Sequence, residues 1–240
     1  MNDLAMLALK AHGGLERWKQ FRTVTAHLVQ GGALWGLKGK DGVLDDVTVT
    51  VALDRQWASH APFRRPEWRT SFERDRVAIE SVTGRTVEEL TSPRTSFEGH
   101  TLTTPWSDLQ LAFFAGCALW TYLNGPFLLA WPGVESTELD TWEEAGEVWR
   151  RLRVSYPGTL EVFSREQTMY FGADGLLRRM DYDVEIAGNT PGAHYVSGYR
   201  EQDGIMFPTK RAIYPRGPDG RSMPEPLVVS IDLDGIALAK

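Results

Sequence analysis

A single cysteine, Cys117, in 240 residues excludes an intramolecular disulfide and leaves any protein-only metal site dependent on histidine and carboxylates. Stability must then come from packing. No fixed-period repeat and no low-complexity linker divides the chain, so a single domain is expected over residues 1–240. The opening MNDLAMLALKAHGG lacks the basic start, long apolar stretch and small-residue cleavage site of a secretory signal. A cytoplasmic protein is expected from the sequence as written. Basic charge is also scarce: the net charge is −6 and the pI about 5.4, a field that repels nucleic acid backbones and anionic lipid surfaces. The local clusters Arg64-Arg65 and Arg150-Arg151-x-Arg153 are interleaved with acids and aromatics, and read as solvated or salt-bridged faces. With 42% hydrophobic and 24% charged residues, the composition is that of an ordinary globular protein.

The signatures of several chemistries are missing as well. In QGGALWGLKGKDG a phosphate-binding loop would need Gly at Leu34 and Ser or Thr at Asp41, and no G-x-G-x-x-G fingerprint occurs. This run reads as a strand end and a hairpin. There is no H-E-x-x-H, and His12, His27, His60, His100 and His194 are far apart in sequence, so no metal and no cofactor is expected. Asp181, Asp183 and Glu185 share a strand face with Arg179, which predicts a solvated salt-bridged ladder. No G-x-S-x-G elbow is present, and Cys117 has no basic neighbour in sequence. For catalysis there remain His60 and His100, acid–base candidates in aromatic-flanked loops, WASHAPFRRPEW and SFEGHTLTTPW.

What the chain does contain is one-sided alternation. Val47, Val49, Val51 and Leu53 alternate with Thr48, Thr50, Ala52 and Asp54, and the pattern returns around residues 152–156, 180–186 and 227–233. Such strands belong in antiparallel sheets. Asp-Gly occurs five times, from Asp41-Gly42 to Asp234-Gly235, and favours tight hairpin turns. A short N-terminal helix is expected from Asp3 to Trp18, bent at Gly13-Gly14.

The longest anomaly is Leu109 to Trp131, LQLAFFAGCALWTYLNGPFLLAW, without a single Asp, Glu, Lys or Arg. Ser107 and Gln110 fit a capping box, so a helix starts there, and Asn124-Gly125-Pro126 stops it. That length falls short of the roughly 20 apolar residues a bilayer needs. Its apolar residues surround the helix rather than forming a stripe, which requires burial on several sides. Two readings fit: a helix that fills a curled sheet, or one that lines a hollow. For the second, the candidate ligand-binding residues are Trp106, Phe113, Phe114, Trp120, Tyr122, Phe127 and Trp131.

KAHGGLERW, EQTMYFGADGLLRRMDYDVEI and YREQDGIMFPTKRAIYPRG together resemble the LolA/LolB family of outer-membrane lipoprotein carriers. The resemblance implies an α+β fold that is mainly antiparallel β: a curved sheet forming a half-barrel around a central apolar helix, whose hollow holds acyl chains or other lipid-like molecules. No motif here carries a gating residue of that family.

Three functions follow as expectations. The first is binding of a hydrophobic small molecule or acyl chain, as carrier or sensor, without nucleic acid partners or a transmembrane segment. The second is a cyclase, isomerase or hydrolase acting in the same hollow. The third is an interaction module with a solid core.

Overall fold

A computed structural model describes all 240 residues, and its alternating segments pair as the sequence pattern requires. The strands are β1 (Thr23–Gly31), β2 (Asp46–Ala52), β3 (Trp57–Ala61), β4 (Trp68–Glu73), β5 (Arg76–Ser81) and β6 (Thr86–Thr91) in the first half. The second half contributes β7 (Glu135–Glu144), β8 (Glu147–Ser155), β9 (Glu166–Phe171), β10 (Leu177–Val184), β11 (Thr190–Gln202), β12 (Ile205–Pro215) and β13 (Val229–Ala239). Each half is an antiparallel meander. They join where β1 pairs with β13, Thr23 opposite Ala239, giving one sheet in the order β6-β5-β4-β3-β2-β1-β13-β12-β11-β10-β9-β8-β7. The sheet is open and curled, with β6 and β7 as its edges.

Turn chemistry sets the register at particular points. Asp203 and Gly204 both have positive φ, 51° and 78°, the geometry of a type I′ turn between β11 and β12. Asp174-Gly175 closes β9 and β10. Asp41-Gly42 instead follows a helix, and Asp234-Gly235 lies inside β13 where its pairing with β1 shifts register.

Four helices decorate the sheet: α1 (Asp3–Ala11), α2 (Leu15–Trp18), α3 (Leu34–Lys38) and α4 (Asp108–Asn124). Asn2 caps α1 through its side chain, and the chain bends at Gly13 and Gly14, with φ of 114° and 88°. The Gly-rich run ends β1 at Gly31 as expected but continues as α3 rather than as a hairpin. Trp35 donates its indole N–H to the Gly31 carbonyl, Lys38 donates to the carbonyls of Thr101 and Thr104, and Gly39 ends the helix at φ 65°.

α4 carries the predicted capping box: Gln110 N–H to Ser107 Oγ at 3.1 Å, and Ser107 N–H to Gln110 Oε1 at 2.9 Å. Asp108 in its first turn accepts from Arg64 and Lys40. Every residue from Leu109 to Asn124 is buried. The helix packs against β2 to β5, and no helix in the chain is long and apolar enough to cross a membrane.

The Arg179 ladder differs from expectation. Arg179 and Asp181 pair through two hydrogen bonds of 2.6 and 2.9 Å, but they are buried rather than solvated. Glu144 from the β7–β8 hairpin and the Gly220 carbonyl from the loop before β13 both accept from Arg179 and cover that face.

Candidate functional site: an apolar cavity beside the central helix

The two sides of α4 meet different surroundings. Toward β4, Gly116 lets the helix approach so closely that a Cβ there would stand 2.3 Å from Cβ of Phe72. Phe113 packs edge-on against Phe72 at 5.6 Å. Trp120 donates its indole N–H to the carbonyls of Ala52 and Arg55, each at 2.9 Å. This side is solid.

On the other side, Phe114, Ala115, Ala118, Leu119 and Tyr122 form a stripe along the helix and line a cavity of about 180 Å³, several times the ~30 Å³ that one water occupies in the liquid. Two of the five are alanines, and that is where the space arises. Across the hollow stand Tyr182 of β10, Ile213 of β12, and Val229 and Ile231 of β13. Leu37 of α3 and Leu102 form part of the rim, with Leu37 exposed to solvent. Of 26 lining residues 20 are hydrophobic, and none is a carboxylate, histidine, lysine or arginine. Transfer of an apolar group into such a site is worth roughly 25 cal/mol per Å² of surface removed from water.

The sequence candidates divide accordingly. Trp106, Phe114 and Tyr122 line the cavity. Trp106 lies 4.6 Å from Phe114, ring to ring, and Phe163 stacks on Phe114 at 4.7 Å. Phe113 and Trp120 face the solid side. Phe127 stacks on Trp18 at 4.2 Å, and Trp131 meets Trp120 edge-on at 5.5 Å. These four pack core and rim elsewhere and do not reach the hollow.

Neither histidine candidate reaches it either. His60 is fully buried in β3, its backbone N–H on Thr70 Oγ1 at 2.8 Å. Burial lowers its pKa to about 4. His100 packs edge-on against Phe97 at 5.4 Å, with Nδ1 buried and unpartnered. No cluster of three or more His, Cys, Asp or Glu is arranged to hold a metal ion. Cys117 is buried, and burial pushes its thiol pKa up.

A polar group missed in the sequence lies behind the cavity wall. Tyr122 Oη and Tyr182 Oη are 2.8 Å apart, Tyr182 Oη is 3.3 Å from His194 Nδ1, and His194 Nε2 is 3.3 Å from Arg211 Nη1. Arg211 also donates to the Tyr122 carbonyl at 2.9 Å. All four side chains are buried. Burial, then the Arg211 charge, hold His194 well below its ordinary pKa. His194 was visible only as an isolated histidine, and nothing in its neighbours signals Tyr182 or Arg211.

No family model and no curated protein matches the sequence. Solved structures do match. A DUF1329 family protein from Desulfovibrio piger superposes with a TM-score of 0.55 at 11% identity, over 98% of this chain and 91% of that one. A domain assigned to outer membrane lipoprotein sorting, from Vibrio parahaemolyticus, gives 0.51 at 9% identity over 98% and 91%. A LolA superfamily protein from Nitrosomonas europaea gives 0.49 at 11% identity over 94% and 92%. At these identities the likeness concerns architecture, and the chain has the LolA-like fold: an open, curled antiparallel sheet with a helix packed on it.

Proposed function

We propose that the protein binds a hydrophobic small molecule or acyl chain in the cavity between α4 and β10–β13, as a carrier or sensor. The observation that carries this reading is the lining: a hollow of about 180 Å³ walled by 20 hydrophobic residues of 26. The name of the Vibrio parahaemolyticus domain, which refers to lipoprotein sorting, agrees with a ligand of this class. Binding is favoured over acid–base catalysis because His60 and His100 lie away from the hollow. It is favoured over a solid-core module because the helix leaves the hollow open.

Native mass spectrometry of the purified protein, followed by organic extraction, tests for a retained ligand. Uptake of the uncharged dye Nile red tests the site itself. Ala118→Trp fills the space beside Tyr122, and the variant is expected to fold and to lose dye binding. A folded Ala118→Trp protein that binds dye like the parent places the site elsewhere.

A further inference from the structure

Arg211 is 4% exposed, makes no ion pair, and its Nε has no hydrogen-bond partner. A buried cation without a counter-charge is costly. Its direction as a donor also fixes the proton on His194. A guanidinium has only donors, so His194 Nε2 must accept from Arg211, and the single proton of the neutral ring is on Nδ1. That proton goes to Tyr182 Oη. The Tyr122–Tyr182 pair then has two phenolic protons. One joins the two oxygens at 2.8 Å, and the other has no acceptor in the protein. Both tyrosines line the cavity, and they also line a small annex of about 10 Å³, room for about one oxygen atom.

We infer that the cavity is built for a carboxylate-headed amphiphile, whose alkyl chain lies along the Phe114–Leu119 stripe and whose carboxylate accepts the free phenolic proton of the Tyr122–Tyr182 pair. This rests on the cavity being the ligand site. The relay from Arg211 through His194 and Tyr182 delivers a donor to the Tyr122–Tyr182 end of a mainly apolar hollow, whose wall elsewhere carries the unpartnered Gln30 amide. The negative head supplies the counter-charge that Arg211 lacks. Gln167 Oε1, buried and unpartnered beside the annex, is the acceptor an alcohol head would use instead. The ligand charge separates the two.

The test is competitive displacement of Nile red by decanoate and by decanol. Decanoate is expected to bind at least about tenfold more tightly, the worth of one hydrogen bond to a charged group. Tyr122→Phe combined with Tyr182→Phe removes both phenolic donors while keeping the rings, and should bring decanoate to within a few-fold of decanol. Arg211→Met removes the cation and should have the same effect, so either variant suffices if the other fails to fold. Decanol binding as well as decanoate to the parent protein overturns the carboxylate assignment and leaves the cavity reading intact. A preference for decanoate that survives in the folded double phenylalanine variant and in folded Arg211→Met overturns the relay as its source. Failure of both compounds and of the dye to bind overturns the cavity reading as well.

Discussion

The two sides of α4 are equally apolar in sequence and opposite in structure. On one, a glycine and large aromatics bring helix and sheet into direct contact, with Gly116 against Phe72 and Trp120 bonded to two backbone carbonyls. On the other, Ala115 and Ala118 hold the space open between larger side chains. Core and hollow therefore differ by the placement of small residues, not by hydrophobicity. A glycine admits the sheet, whereas an alanine facing no neighbour leaves room for a ligand.

Breaking the solid side should have the largest effect. Trp120→Ala removes a fully buried ring and the indole donor to the Ala52 and Arg55 carbonyls, and is expected to cost about 3–5 kcal/mol in urea unfolding, with Leu119→Ala on the hollow side nearer about 2. Equal costs would mean that both sides are packed alike.

Acidification should act next, by about 3 kcal/mol for each buried histidine whose pKa falls from 6.5 to about 4, as for His60. The sign follows from proton counting: between these values the unfolded chain binds more protons, so stability falls as the pH drops from about 6.5 toward about 4. His12, lowered to about 4 mainly by burial, adds to the same limb. His60→Gln, a change on the solid side alone, should flatten the limb by one histidine's share, read from urea midpoints across that window. An unchanged slope would show that His60 is not buried neutral.

The smallest of these effects is Gly116→Ala. In most helices this exchange stabilises, by up to ~1 kcal/mol. Here the added methyl meets Phe72, and a loss of about 1–3 kcal/mol from overpacking is expected. Thermal denaturation decides the sign, and a gain would show that α4 stands off the sheet.

Much of this architecture was legible in the residues. Ser107 and Gln110 marked the start of α4, Asn124-Gly125-Pro126 its end, and period-two alternation the sheet, because caps, turns and strand faces are local. Direction across the helix was less legible. Density of aromatics singled out Phe113 and Trp120 together with Phe114 and Tyr122, although at about 100° per residue the two pairs belong to different stripes. The residues of α3 read as a hairpin in sequence because the groups that fix the helix, the Thr101 and Thr104 carbonyls that hold Lys38, are distant. Alternation made Arg179 and Asp181 surface residues, since it cannot show that the β7–β8 hairpin and the loop around Gly220 fold over them. The Tyr122–Tyr182–His194–Arg211 relay spans four elements, and no local signal encodes it.

The pairing of β1 with β13 has a consequence for biosynthesis. Thr23 emerges from the ribosome long before its partner Ala239, so the middle of the finished sheet is the last seam available to close. Until then β1 and β12 both present unpaired backbone edges, the kind that invite association with other chains. The meander of β1 to β6 and that of β7 to β12 have mainly neighbour-to-neighbour pairings to make, whereas the seam has the longest loop to close and is slow for that reason. Newly made chains are thus most vulnerable at what becomes the middle of the finished sheet.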